Sequence, residues 1–155
     1  MYLGIDPGIR KLGYALINPD RTIVDAWVLL LEVKSPTRMD QFARMHEIYE
    51  FFDKMVKKQP IRWVAIEKLY FTHSNQSNAE FVYGVRGALA MLFRKHTIPI
   101  HEWTPQELKK YITGSWTASK DAMQRMIVKL YQLEETPKWH DTSDALWLAR
   151  LLSRK

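Results

Sequence analysis

The sequence contains no cysteine among its 155 residues. This absence excludes disulfide bonds, cysteine-based zinc sites and thiol nucleophiles. The sequence also lacks any apolar run near the ~20 residues that a membrane-spanning helix needs. No repeat or low-complexity stretch stands out. No secretory signal is visible either, because the first residues already have the pattern of a strand that contains Asp6. We therefore expect a soluble, intracellular protein of the cytoplasm.

Basic side chains outnumber acidic ones in this chain. It has 23 Lys and Arg against 17 Asp and Glu, a formal net charge of +6 and a sequence pI of about 9.5. This excess favours partners such as nucleic acid or an anionic membrane, although a soluble protein can also simply be basic. Hydrophobic residues make up 46% of the chain, with six Trp and seven Tyr, which is enough for a core. The length and the absence of a visible linker predict one domain over residues 1–155.

Hydrophobic patterning predicts the element order βββ-α-β-α-β-α-α-α, with the first three strands as an antiparallel meander. Thr104 has the pattern of a helix N-cap, with Pro105 in the first turn and Glu107 completing a capping box. Gly84 and Gly87 predict close packing of the second helix against another backbone. The predicted strands are 2–6, 13–18, 22–31, 62–67 and 98–103, and the helices are 37–59, 77–95, 105 onward, 118–133 and 140–152.

Four acidic residues share an unusual setting, because each lies at the end of a very apolar element. Asp6 ends the first strand, Glu67 ends the fourth, and Asp141 and Asp144 begin the last helix three residues apart, on one face. A buried carboxylate without a partner is costly, so Asp6 needs a cation nearby. If the first and fourth strands are parallel neighbours, Asp6 and Glu67 emerge at one sheet edge, where the helix could complete a cluster. Such oxygen ligands suit Mg²⁺ or Mn²⁺, and two ions roughly 3.5–4 Å apart can drive phosphodiester cleavage.

Each of these acids also has a simpler explanation when it is taken alone. Asp141 or Asp144 could merely favour the positive end of the helix dipole. Glu67 could be a solvated strand end, and Asp6 could shape the turn that Pro7 and Gly8 make. The four acids together, in this order, favour the shared site.

Three segments, LGIDPGIRKLGYALI, VAIEKLYF and HDTSDALWLA, resemble the acidic motifs of RuvC-type Holliday junction resolvases. These enzymes belong to the RNase H-like (retroviral integrase) superfamily, and the resemblance covers nearly the whole chain in the right order. It implies an α/β fold with a five-stranded mixed sheet flanked by helices. It also implies a homodimer that nicks two opposing strands of a four-way DNA junction. The motifs assign metal binding and catalysis to Asp6, Glu67, Asp141 and Asp144.

The chain departs from the family pattern at two places. The family usually has Ser or Thr after the Pro-Gly, whereas here Ile9 is followed by Arg10 and Lys11, which could contact phosphate. Some relatives carry His in place of the first acid of the last motif, and here His140 directly precedes Asp141. We favour Asp141 as the ligand because it keeps the DxxDA spacing, with His140 as the alternative.

The resemblance also predicts DNA contacts beyond the acidic residues. In the family an aromatic residue after the fourth strand stacks on a base near the junction point, which indicates Tyr70 or its neighbour Phe71, although both rings could instead be core or dimer packing. Lys109 and Lys120 match lysines near the scissile phosphate, and Lys120 is the catalytic candidate. Arg86 and Lys68 are weaker candidates. The helix over residues 77–95 is the predicted dimer contact, with a core-only role as the alternative.

The sequence is therefore interpreted as an endonuclease that resolves Holliday junctions with two Mg²⁺ per site and leaves 5′-phosphate and 3′-hydroxyl ends. Alternatives are a phage-type flap or branched-DNA nuclease of broader specificity and a non-catalytic junction-binding protein. A branch-migration helicase is a possible partner, and the origin can be bacterial or phage. Sugar kinases and actin-type ATPases share a similar first turn, but they need a second domain that 155 residues cannot supply.

Overall fold

The computed structural model describes residues 1–8, 10–32, 37–68 and 76–153, without the side chains of 76–78. The observed elements follow the predicted order βββ-α-β-α-β-α-α-α. No helix in the described ranges is long and apolar enough to cross a membrane. The elements are β1 (Tyr2–Asp6), β2 (Lys11–Ile17), β3 (Ile23–Leu30), α1 (Arg38–Lys58), β4 (Trp63–Glu67), α2 (Gln76–Lys95), β5 (Ile100–Trp103), α3 (Pro105–Thr113), α4 (Lys120–Tyr131) and α5 (His140–Leu152).

The five strands form one mixed sheet in the order β3-β2-β1-β4-β5. β1, β2 and β3 pair antiparallel, whereas β1 pairs with β4 and β4 with β5 in parallel. The parallel strands are connected through α1 and α2, because a parallel pair requires a long crossover. The predicted mixed sheet with three antiparallel strands is confirmed. The carboxyl ends of β1 and β4 consequently lie at the same edge of the sheet.

Each face of the sheet carries its own hydrophobic core. On one face, Leu3 and Ile5 of β1 pack with Phe52 of α1 and Phe93 of α2. On the other face, side chains of β2 and β4 pack with α3, α4 and α5, and α5 supplies Leu148 among many other buried residues. The alternation of side chains along a strand produces this division. The helix α5 therefore packs on one face of the sheet and begins near the edge at which Asp6 and Glu67 lie.

Local capping fixes several helix starts. Thr104 and Glu107 form the predicted capping box of α3. The helix α4 begins at Lys120, two residues later than predicted, because the side chain of Ser119 accepts a hydrogen bond from the Ala122 amide. Strand β2 begins at Lys11, two residues earlier than predicted, because its ladder with β3 extends through the Lys11–Leu30 pair.

Two glycines allow α5 to lie unusually close to the sheet. A Cβ atom on Gly4 would lie 2.6 Å from the Ala149 amide nitrogen, and one on Gly13 would lie 2.5 Å from the Asp141 carbonyl carbon. Both positions are backbone atoms of α5, which cannot move aside as a flexible side chain would. Gly4 and Gly13 therefore set the height of α5 above β1 and β2.

Within the described chain, neither of the two glycines of α2 packs against another backbone. A Cβ on Gly84 would meet Cε of Met45, which is a side chain of α1 rather than a backbone. Gly87 faces open space, with no atom of the described residues within 4 Å of such a Cβ. Gly87 is therefore free to face something outside this chain.

Candidate active site

Asp6 and Glu67 meet at the carboxyl edge of the sheet. β1 and β4 run in parallel register, with Ile5 beside Ile66, so the residues that follow these two lie side by side. Asp6 is buried, at 8% exposure, and a side-chain hydrogen bond joins its carboxyl group to that of Glu67. Such a bond requires a proton, because two ionised carboxylates have no donor between them. The two carboxyl groups therefore lie against each other at this edge of the sheet.

Helix α5 brings two more carboxylates to this edge. Asp6 pairs with Gly13 across β1 and β2, and the backbone of Asp141 lies against Gly13. Asp144, one helical turn further, is also buried. The four acids predicted from the sequence thus lie within electrostatic reach of one another. The predicted convergence of two strand ends and one helix start is what this chain's backbone produces.

The clustering raises the pKa values of three of the four acids. Burial is the main cause of the raised pKa of Asp6, and the negative charges of Glu67, Asp144 and Asp141 raise it further. Burial, followed by the charge of Glu67, raises the pKa of Asp144 to about 7. Burial also raises the pKa of Glu67, against the opposing effects of its bond to Asp6 and of nearby cations. A site of this kind favours a bound cation, because a cation restores the ionised form of each carboxyl.

Two predicted lysines flank this cluster. The Nζ of Lys120 lies 3.9 Å from Oδ2 of Asp144, and the Lys120 side chain is largely exposed. The charges of Lys120 and Lys109 both act to lower the pKa of Asp144. Lys110 instead donates a hydrogen bond to the Gly114 carbonyl at 3.0 Å, as expected of a surface lysine. Lys109 and Lys120 therefore lie within electrostatic reach of the acidic cluster, and their contact with phosphate stays a prediction.

His140 lies beside the cluster with a different neighbour. Its Nε2 is 3.6 Å from Oδ1 of Asp121 on α4. Its Nδ1 is buried and has no hydrogen-bond partner among the described residues. The choice between Asp141 and His140 as ligand stays a prediction.

The donor set fits a hard divalent cation in its chemistry. Carboxylate oxygens from β1, β4 and α5 are the ligands that Mg²⁺ and Mn²⁺ prefer. In the part of the chain that the structure describes, however, no three Asp, Glu or His side chains are already arranged around one point that could hold an ion. The four acids therefore share an electrostatic site, and their coordination of one or two ions stays a prediction.

Arg86, which the sequence predicts as a DNA contact, is used inside the protein. Its guanidinium donates hydrogen bonds to the main-chain carbonyl of Glu67 and to the side chain of Glu102 on β5. The side chain of Arg86 is mostly buried, at 14% exposure. Arg86 thus joins the carboxyl ends of β4 and β5 at the residue that carries one of the acids. The sequence offered no signal for this role, because it depends on a contact between α2 and two strands.

The other basic residues predicted as DNA contacts lie near the first and fourth strands. Arg10 is exposed, and the Nζ of Lys11 lies 3.8 Å from the centre of the Trp139 ring. Lys68 is exposed directly after β4. Tyr70 and Phe71 lie outside the described residues, so their predicted stacking on a base stays a prediction.

The strand order, the antiparallel first three strands and the acids at one sheet edge define the class of the protein, an RNase H-like α/β fold with an acidic centre. The family model described as "Crossover junction endodeoxyribonuclease RuvC" matches residues 2–151. The chain therefore belongs to the RuvC family of crossover junction endodeoxyribonucleases. It is an enzyme of DNA recombination and repair, and metal dependence is consistent with this family.

Curated relatives and solved structures agree with this assignment. The Crossover junction endodeoxyribonuclease RuvC of Alkaliphilus metalliredigens is 34% identical over 150 residues, which are 95% of this chain and 88% of that protein. The protein of the same name from Fusobacterium nucleatum is 33% identical over 147 residues, or 93% of this chain and 75% of that one. The structure of T. thermophilus RuvC in complex with Holliday junction substrate has a TM-score of 0.80 at 21% identity, with 96% of this chain and 90% of that chain covered. This likeness confirms the predicted fold.

Proposed function

We propose that the chain resolves Holliday junctions by paired, metal-dependent nicks. The observation that carries this proposal is the gathering of Asp6, Glu67, Asp141 and Asp144 at one sheet edge, where burial and mutual repulsion raise the pKa values of three of them. A protein that only bound DNA would gain nothing from four carboxylates facing phosphate. The four acids instead suit a site that gathers cations before it meets DNA.

In the proposed reaction the four acids bind metal and one lysine binds phosphate. Asp6, Glu67 and Asp144 would hold the metal together with Asp141, for which His140 is the alternative. Two Mg²⁺, or Mn²⁺ in their place, supply the activation of water and the stabilisation of charge on the phosphate. Lys120, 3.9 Å from Asp144, would pair with the scissile phosphate. The products would be 5′-phosphate and 3′-hydroxyl ends.

The proposed substrate is a four-way DNA junction. A solved relative, T. thermophilus RuvC, is described in complex with a Holliday junction substrate. In this chain the exposed cations Arg10 and Lys120, together with Lys109, lie around the acidic edge and favour a polyanion. Tyr70, or its neighbour Phe71, is proposed to stack on a base near the junction point. The helicase partner stays a proposal drawn from the same resemblance.

The proposed active form is a homodimer that meets through α2. Along this helix an exposed stripe recurs at helical spacing, with Tyr83 and Met91 at 37% and 72% exposure and with Gly87 and Ala90 exposed between them. Gly87 faces open space, so a second helix can approach closely there. A two-fold pair of chains would present two acidic sites to two strands of one junction, which is what paired nicking requires.

A cleavage assay on a synthetic four-way junction tests the function. With Mg²⁺ the wild-type chain should cut two opposing strands, and with EDTA it should not. Asp6→Asn removes the charge of one acid of the cluster, so it should lower the cleavage rate by at least about a hundredfold. Junction binding should stay within about threefold of the wild type. The control Glu47→Gln changes an exposed acid of α1 and should cleave normally.

The same assay separates the alternatives. Equal rates on flaps, forks and four-way junctions would indicate a branched-DNA nuclease of broader specificity. Binding without cleavage of any branched DNA in Mg²⁺ or Mn²⁺ would contradict the proposal and favour a junction-binding protein.

A further inference from the structure

A groove lies beside the acidic cluster, between the edge strand β3 and the connection from α4 to α5. Its volume is about 230 Å³. Its lining is largely apolar, with one lysine and no acidic side chain. The lining residues are Ile23, Ala26, Trp27, Leu133, Pro137, Lys138, Trp139, Thr142 and Leu146.

Trp139 occupies an unexpected place in this groove, the N-cap of α5. N-cap positions favour Ser, Thr, Asp or Asn, whose oxygen accepts a hydrogen bond from the first turn. Trp139 has the extended backbone of an N-cap but makes no such side-chain bond. The indole therefore contributes nothing to the capping of this helix, although the next turn carries Asp141 and Asp144. The ring instead forms part of the lining of the groove.

Two cations lie against this ring. The Nζ of Lys11 is 3.8 Å from the centre of the Trp139 ring, and that of Lys138 is 5.2 Å from it. Lys11 belongs to β2 and Lys138 to the loop before α5, so they reach the ring from different elements. Glu134 and Glu135, in the same loop, do not line the groove. The groove thus combines an aromatic wall with two positive charges on its Trp139 ring, one from Lys138 of the lining and one from Lys11 outside it.

The first turn of α5 is shared by the groove and the acidic site. Thr142, which lines it, immediately follows Asp141 in the first turn of α5. Lys11 begins β2 two residues before Gly13, against which the Asp141 backbone lies. The groove and the acidic site therefore lie at neighbouring positions of α5 and β2.

We propose that the groove is a nucleotide-binding subsite of the DNA interface. The apolar wall and the Trp139 indole take a base of the cut strand, and Lys11 and Lys138 move from the ring to the adjacent phosphates. The inference rests on the proposed function and extends it to one named contact. Positive charge without an opposing acid in the lining favours nucleic acid over an apolar segment of a protein or a second copy of this chain. Because any base has a flat apolar face, this subsite should bind DNA without reading its sequence.

The test measures binding of a fluorescent four-way junction in the Asp6→Asn background, which keeps the DNA uncut. Trp139→Leu keeps apolar bulk but loses the ring, and it should weaken binding about tenfold. Trp139→Phe keeps a ring and should bind within about threefold of the parent. Lys11→Gln should lower the slope of log Kd against log salt by about one, whereas Lys58→Gln on α1 should leave it unchanged.

Thermal unfolding of each variant checks that the fold is intact, and Lys138→Glu provides a second test that leaves the ring in place. This charge reversal of an exposed lysine should also weaken binding. Parent-like binding by both Trp139→Leu and Lys138→Glu would overturn the inference while the proposed function stood. Loss of self-association in Trp139→Leu, with DNA binding unchanged, would assign the groove to a second copy and overturn it too. A wild-type chain that neither bound nor cut junctions would instead overturn the proposed function and this inference with it.

Discussion

At the scale of single residues, the acidic edge is a place where charge is unbalanced until a cation or DNA arrives. Burial and mutual repulsion raise the pKa values of Asp6, Glu67 and Asp144. The charge of Lys120 opposes the rise for Glu67 and Asp144, together with Arg86 at Glu67 and Lys109 at Asp144. At a pH between the ordinary and the raised pKa of such a carboxyl, the folded chain holds a proton that the unfolded chain has released. Proton binding and stability are therefore linked at this site.

Metal-free protein should lose stability as the pH rises through about 7. The folded pKa of Asp144, about 7, lies above its ordinary value of 3.8, so the stabilisation is full below about 4 and is lost as pH rises through about 7. At roughly 1.4 kcal/mol per unit of pKa, the effect is at most about 4 kcal/mol. Thermal unfolding in EDTA between pH 5 and 8 should show this decline, and Asp144→Asn should flatten it. Parallel profiles for the two proteins would contradict the linkage.

Arg86 offers a test between two roles for one side chain. As a residue that positions Glu67, Arg86→Gln should slow cleavage by more than about tenfold, because the end of β4 loses its bond to α2. Its junction binding should keep the wild-type salt dependence, since no phosphate contact is removed. A phosphate contact would instead lower the slope of log Kd against log salt by about one. The two measurements on the same variant therefore distinguish positioning from DNA contact.

At the scale of elements, the site is assembled by how closely α5 lies on β1 and β2. The four acids come from three elements. Two of these, β1 and β4, are strands of the sheet, whereas α5 packs across the face of the sheet. Gly4 and Gly13 permit that approach, because a Cβ at either position would meet the backbone of α5. The acids of α5 therefore depend on two glycines that carry no chemistry of their own.

Gly13→Ala should impair cleavage more than it impairs folding. The added methyl group meets Asp141 in the first turn of α5, so this turn should shift and carry Asp141 away from Asp6. We expect the cleavage rate to fall at least about tenfold, because small displacements of active-site groups slow catalysis. Unfolding should remain cooperative. Gly4→Ala meets the middle of α5, at Ala145 and Ala149, and should mainly lower the unfolding temperature. Normal cleavage by Gly13→Ala would show that the close approach at this point is not needed.

At the scale of the whole molecule, one chain provides one acidic edge, and the proposed paired nicking of a four-way junction requires two. The two faces of the sheet are used differently, with α5 building the site on one and α1 and α2 covering the other. The exposed stripe on α2 lies on the covering layer, away from the packed face of α5. This separation allows a pair of chains to meet without closing their acidic edges.

Met91→Glu should separate the proposed dimer. Met91 is 72% exposed on the stripe, and a buried charge there would oppose association. Light scattering or sedimentation should give a dimer for the wild-type chain and a monomer for Met91→Glu, and paired nicks should become single nicks. Met126→Glu, an exposed methionine of α4, should keep the wild-type mass. A wild-type monomer at micromolar concentration in the presence of junction DNA would contradict this account.

Much of the fold was readable from local sequence patterns. Apolar runs, helical periods and capping or breaker residues predict the five strands and five helices of the described residues, with α5 at its observed bounds. The Thr104 capping box is local as well. The starts of β2 and α4 were each misplaced by two residues, because a strand ladder and the Ser119 cap decided them rather than hydrophobicity.

What the sequence determined by itself is the identity of the four acids and the elements that end in them. A strand that ends in Asp6 and a helix that begins with Asp141 are local facts of composition and period. The tertiary structure alone decided how these groups meet: the approach of α5 over Gly4 and Gly13, the bonds of Arg86 to the ends of β4 and β5, and the cations on Trp139. The physical reason is that these contacts join residues far apart in the chain, and their distances depend on how the layers pack.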